Sequence, residues 1–150
     1  MKERRVMFPS VTRTHETTTP IGEAFFPNLV EPDTKFGKVP VYRVKLRVGV
    51  DDAKGFFAEC QTVFSAAHPG IVASVWPVRR DKAGRPFILA ESTRPPNIQV
   101  PGDAFGYEPR HGDVLRLHGA LVPFSRNGRR GVNFRISEVE PAPMVKGSRS

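Results

Sequence analysis

From Val41 to Val48 the chain alternates without a break, with Tyr42, Val44, Leu46 and Val48 on one side and Arg43, Lys45 and Arg47 on the other. A period of two is the signature of a half-buried β-strand. At about 3.3 Å rise per residue the three cations stand roughly 6.6 Å apart along one line. The apolar set has to meet a core, so Arg43, Lys45 and Arg47 face outward. The period then changes. Ala53, Phe56, Phe57, Cys60, Val63, Phe64 and Ala67 recur at helical spacing as one apolar stripe. Asp51 or Asp52 is expected to cap this helix by accepting hydrogen bonds from its first free amides, and His68-Pro69-Gly70 ends it. It is the one helix the pattern predicts.

The remaining pattern is β-like and heavily punctuated. Gly22 to Val30 reads as a strand in which Pro27 marks an edge or a bulge, and 31–40 as a loop centred on Lys35-Phe36-Gly37-Lys38. Beyond Gly70, strands are predicted at Ile71–Val78, Phe87–Ser92 and Ile98–Val100, with a turn at Asp81-Lys82-Ala83-Gly84. Gly102 to Gly112 reads as a loop that holds Phe105 and Tyr107. Two strong strands follow, Val114–Val122 with Leu115, Leu117 and Leu121 inward, and Val132–Val139 with Val132, Phe134 and Ile136 inward. Between them, Pro123 to Gly131 is expected to form a hairpin loop with Asn127-Gly128 at its tip. Residues 1–17 show no period and read as a flexible arm, and 141–150 as a flexible basic tail. That leaves one domain, 18–140, an all-β barrel or sandwich with one helix.

Composition narrows the function. At 150 residues and 39% hydrophobic content the chain can bury a core. Lys and Arg number 23 against 15 Asp and Glu, a net charge of +8 that favours anionic partners. A single cysteine, Cys60, excludes an internal disulfide and a multi-cysteine zinc site. No apolar run is long enough to span a membrane and no signal-peptide core is visible, so the expectation is a soluble, cytoplasmic protein without a membrane partner.

Catalytic chemistry finds no foothold. His111, Asp113 and His118 are the only cluster that suggests a metal, and their spacing matches no standard ligand pattern. Gly112-Asp113 is better read as the turn before a strand. Cys60 sits on the apolar stripe and reads as an inert core thiol. No phosphate-cradling glycine loop or serine elbow is present. We expect neither enzymatic activity nor a cofactor. Cations and aromatics sharing one segment are more informative, because bases stack on rings while cations neutralise phosphate. Lys35-Phe36 is one such place and Phe124-Ser125-Arg126-Asn127-Gly128-Arg129-Arg130 another. Tyr107, in its glycine-bearing loop, is a third candidate. Trp76, followed by Pro77 and Arg79-Arg80, offers a further ring for stacking, although a lone tryptophan is more often part of a core.

The segments Asn28-Leu29, Pro32-Asp33, Lys35-Phe36-Gly37 and Tyr42-x-Val44-x-Leu46, with the helix after them, occur in a telling order. Gly112-Asp113-x-Leu115-Arg116, Val122-Pro123-Phe124 and Gly131-Val132-x-Phe134-x-Ile136-x-x-Val139 complete it. Together, over about residues 20–140, they resemble the T7-type bacteriophage single-stranded DNA-binding proteins. The resemblance implies an OB-fold, a five-stranded barrel with its helix after the second strand. It also implies a protein that coats single-stranded DNA during phage replication and recombination. In that family the aromatic after Val-Pro stacks on bases, which here is Phe124. A second aromatic two residues on is replaced by Arg126, whose guanidinium plane can stack and also pair with phosphate. The family's acidic tail, which recruits replication proteins, is replaced by the basic Met144 to Ser150, so that route to replication partners does not carry over.

An OB-fold binds strands across its second and third strands and the flanking loops. The expected nucleic-acid-binding set is therefore Lys35, Phe36, Arg43, Lys45, Arg47, Tyr107, Phe124, Arg126, Arg129 and Arg130. The expected function is sequence-nonspecific single-stranded DNA binding. An RNA-binding barrel and a scaffold protein with a basic, nucleic-acid-facing surface are the alternatives. The sequence leaves the oligomeric state open, a homodimer included.

Overall fold

The computed structural model describes residues 14–34, 39–100 and 106–141. Its elements are β1 (His15–Thr18), β2 (Gly22–Asp33), β3 (Val41–Arg47), α1 (Val50–Ala67), β4 (Val78–Arg80), β5 (Pro86–Ser92), β6 (Asn97–Ile98), β7 (Val114–Arg126) and β8 (Arg129–Pro141). Lys35 and Phe36 lie outside the described residues, as do 1–13 of the expected arm and 142–150 of the expected tail.

The alternation at 41–48 becomes β3, flanked by β2 and β5, both antiparallel to it. β5 then runs parallel to β8, and β8 forms a long antiparallel hairpin with β7. Because β7 also pairs with β2, the ring β2–β3–β5–β8–β7 closes into a five-stranded barrel. Closure removes the exposed edges of these strands, and the inward positions fill the lumen. Val44, Leu46, Ile88, Ala90, Leu115, Leu117, Leu121, Val132, Phe134 and Val139 are all essentially inaccessible. Burying an aliphatic side chain contributes about 1.5–3 kcal/mol, so this interior dominates stability.

Helix α1 closes one side of the barrel with its predicted stripe. Ala53, Phe56, Cys60 and Phe64 are buried, and the Phe56 ring meets Phe134 edge-on at 5.8 Å. Trp76 packs edge-on against Phe57 at 4.9 Å and lies partly buried against this core, the more frequent of the two places read for it in the sequence. Its opposite end differs from expectation. Gly49 is the N-cap and no side chain caps it; Asp51 and Asp52 lie within the first turn, where their charge faces the positive end of the helix dipole.

Three further differences arise from strand pairing that the local pattern does not show. His15–Thr18, read as part of an arm, pairs with β7 as an added strand outside the ring. The helix consequently follows the third strand in chain order, though it follows the second strand of the barrel. Residues 71–77 are irregular, with a single parallel bridge from Val75 to Gly131, and the strand there is only Val78–Arg80. The hairpin loop is far shorter than nine residues. Asn127 (φ 53°) and Gly128 (φ 78°) form a two-residue turn, and the ladder continues to the pair Arg126–Arg129. Two left-handed residues match the strand twist and let the pairing run to the tip. Among the described residues, no helix is long and apolar enough to cross a membrane.

Candidate nucleic-acid interface

Directly opposed residues of a sheet share a face, so the register of β2, β3 and β5 dictates the composition of the outer wall. One row is Glu23–Arg47–Phe87, the next Phe25–Lys45–Leu89, and the third Asn28–Arg43–Glu91. The last row continues through the pair Glu91–Arg135 onto β8. Arg43, Lys45 and Arg47 thus face outward, as the alternation demands. They are not equivalent. Arg43 pairs with Glu91 at 3.0 Å, and its buried Nε has no hydrogen-bond partner. Arg47 pairs with Glu23 at 3.2 Å and lays its guanidinium 4.5 Å from the centre of the Phe25 ring. Lys45 has no carboxylate partner among the described residues and stands 5.3 Å from the Phe87 ring centre. The wall is therefore cationic and aromatic at once.

The β2 strand breaks its own alternation here. Between the pairs Phe25–Lys45 and Asn28–Arg43 it carries one more residue than β3, which is a β-bulge. Phe26 absorbs the bulge at φ 52°, a left-handed conformation that costs a non-glycine residue about 1–3 kcal/mol. Phe25 and Phe26 consequently both line the outer surface, and Phe26 is 67% exposed. The Phe26 amide donates to His111 Nδ1 at 3.3 Å, and the His111 ring lies 4.7 Å from Phe25 and 5.1 Å from Phe26. Across from this cluster, the β4–β5 turn supplies Arg80 and Lys82. Asp81 holds that turn by accepting the Ala83 and Arg85 amides, each at 2.9 Å, and the Arg85 amide bond in particular lowers its pKa. A groove of about 350 Å³ lies between the two sides.

At the other end of the wall stands the β7–β8 hairpin. Leu121 and Pro123 are buried, so Val122, Phe124 and Arg126 take the outward side of β7. The register puts Arg129 beside Arg126 and sets the half-buried Phe124 opposite Gly131, where the Val75 backbone occupies the place of a side chain. Arg130 pairs with Ser125 and belongs to the alternate side. Phe124, Arg126 and Arg129 therefore share one face, and Arg130 does not.

Tyr107 has a second occupation. Its hydroxyl donates to Asp113 Oδ2 at 2.8 Å, the same oxygen that takes the Arg110 amide at 3.0 Å, and burial with this bond raises its pKa. The ring thereby pins the loop before β7. His111 and His118 part company with Asp113. His118 bonds Glu140 at 2.8 Å and Thr18 at 3.0 Å, and among the described residues no three metal-binding side chains gather. The buried Cys60 thiol is pushed up to about 12 by desolvation. Phe25, Phe26, Phe87, Arg80, Lys82 and Arg135 were not singled out in the sequence. The one available signal was the bulge-prone Phe25-Phe26-Pro27 step.

No protein-family model and no curated protein matches the chain. Solved structures do match it. The single-stranded DNA-binding protein gp2.5 encoded by bacteriophage T7 is 16% identical, with a TM-score of 0.65 over 84% of this chain and 90% of its own. A C-terminally truncated single-stranded DNA-binding protein from bacteriophage Enc34 is 15% identical, with a TM-score of 0.68 over 94% and 95%. The Enc34 protein in complex with single-stranded DNA is 14% identical, with a TM-score of 0.67 over 84% and 85%. The barrel with its helix after the second barrel strand is thus the fold of the bacteriophage single-stranded DNA-binding proteins.

Proposed function

We propose that this chain is a sequence-nonspecific single-stranded DNA-binding protein without catalytic activity. It coats and protects the strand during phage DNA replication and recombination, in the host cytoplasm. One observation carries this reading: the outer wall of β2, β3 and β5 combines cations with aromatic rings on the fold that binds single-stranded DNA in the Enc34 complex. Lys45, Arg126 and Arg129, with Arg43 and Arg47 once released from their carboxylates, neutralise phosphate, and Phe124 stacks on a base. Lys35, Phe36, Tyr107 and Arg130 complete the proposed set. Neutralisation and stacking are both indifferent to base identity, which makes the binding nonspecific.

The test is a fluorescence-anisotropy titration against single-stranded DNA, duplex DNA and RNA of equal length over a range of salt. Four to six phosphate contacts at about −0.7 each predict a log–log slope of roughly −3 to −4 on single strands. A slope near zero, or tighter binding to duplex, overturns the reading. Stronger binding to RNA transfers it to RNA.

A further inference from the structure

The groove beside the β2 bulge has features that neither core packing nor the hairpin site explains. A strand with unbroken alternation would turn Phe26 to the opposite side from Phe25. The inserted residue and the left-handed backbone at Phe26 instead bring both rings to the outer surface. The Phe25 face is covered by Arg47 and the Phe87 ring by Lys45, whereas Phe26, although it touches the His111 ring at 5.1 Å, stays two-thirds exposed. A large apolar side chain that is two-thirds exposed in a strained backbone, with ring contacts only to His111 and Phe25, gains little from folding. Around it stand Lys45, Arg47, Arg80 and Lys82, against one acid, Asp81, whose carboxylate is turned into its own hairpin. The volume, about 350 Å³, lies within the range of small-ligand sites.

We propose that this groove is a second base-binding subsite, in which one nucleotide of a bound single strand stacks on Phe26 while Lys45, Arg80 and Lys82 hold its flanking phosphates. The occupant is a single strand because a ring with an open face selects an unpaired base, and clustered cations select the phosphodiester that carries it. The inference rests on the function proposed above. The subsite lies on β2 and β3, and Phe124 lies on β7, three strands further round the barrel by way of β5 and β8, so one strand crossing β5 and β8 reaches both. Phe26 anchors the strand at one end of its path and Phe124 at the other.

The deciding variant is Phe26→Asn, because asparagine tolerates the left-handed backbone that phenylalanine resists. Its thermal midpoint should equal or exceed that of the native chain, while its Kd for a 20-nucleotide oligothymidylate should rise between about fivefold and a hundredfold. Lys82→Ala, in an exposed turn, should raise the Kd more modestly and shallow the salt slope by about 0.7. If the native chain binds the oligomer and Phe26→Asn binds within twofold of it, the subsite is refuted and the proposed function stands. If the native chain does not bind at all, both fall together.

Discussion

Gly131 lies so close to the Val75 carbonyl that a Cβ on residue 131 would overlap it. The same carbonyl accepts the Val132 amide at 2.9 Å, and the Ser74 and Val75 amides donate to the Arg130 carbonyl at 2.9 and 3.0 Å. The irregular segment after α1 is thereby docked on the start of β8, directly beneath the hairpin that carries Phe124 and Arg126.

Neither backbone at this contact is free to yield, since each is held by the bonds just named. Gly131→Ala should therefore destabilise the fold by about 2–3 kcal/mol, in the range of overpacking in a close-packed interior. Urea unfolding midpoints of the two proteins measure it. An unchanged midpoint would show that the segment at 71–77 moves aside at no cost.

Phe124→Ala isolates stacking from folding. The ring lies on the outward side of β7 but is half-buried, so its loss should lower the thermal midpoint only modestly while weakening single-strand binding by about 1–3 kcal/mol. A steep fall in the midpoint would instead place Phe124 among the structural residues. Arg126→Ala should cost less affinity and flatten the salt slope by about 0.7.

Glu91 sits between Arg43 and Arg135 on the wall and holds Arg43 at 3.0 Å. Neutralising it frees that guanidinium for phosphate and removes a repulsive charge. Glu91→Gln should thus tighten single-strand binding at low salt and steepen the slope by up to about 0.7, whereas Lys45→Ala should shallow it by as much. Titrations at matched salt read both. Weaker binding by Glu91→Gln would mean that the carboxylate positions Arg43 for the strand.

Acid should loosen the β7–β8 pair at its far end. Glu140 accepts His118 Nε2 at 2.8 Å and Arg116 at 3.0 Å, and the His118 bond in particular lowers its pKa. A lowered folded-state pKa contributes stability that is fully present above the unfolded carboxylate value, about 4.3, and is lost as pH falls through the folded value. Glu140→Gln should cost roughly 1 kcal/mol near neutral pH, as expected for a charge-assisted hydrogen bond at a partly exposed site. The difference from the native chain should vanish well below pH 4. Thermal midpoints of both proteins from pH 7 to pH 3 follow this, and a gap that persists at pH 3 would contradict it.

What the sequence determined by itself was whatever depends on near neighbours. The period of two put Val44 and Leu46 inside and Lys45 outside, the helical period buried Phe56, Cys60 and Phe64, and Asn127-Gly128 marked the turn. Side-chain direction follows from local backbone geometry, so these features needed no knowledge of the rest of the chain. The tertiary structure alone decided which residues meet across strands. It gave Arg43 and Arg47 their carboxylates, set Phe124 opposite Gly131 with the Val75 backbone beside it, and extended β7 and β8 past Pro123 to the turn. It also turned Phe26 out of alternation, because pairing with β3 set two residues of β2, Phe26 and Pro27, against the single Val44 of β3. Register is a property of pairs of distant segments. Pro27 marks an edge or a bulge in the sequence, but which ring the bulge turns outward is set only when both strands are paired, and so the exposure of Phe26 belongs to the fold and not to the local pattern.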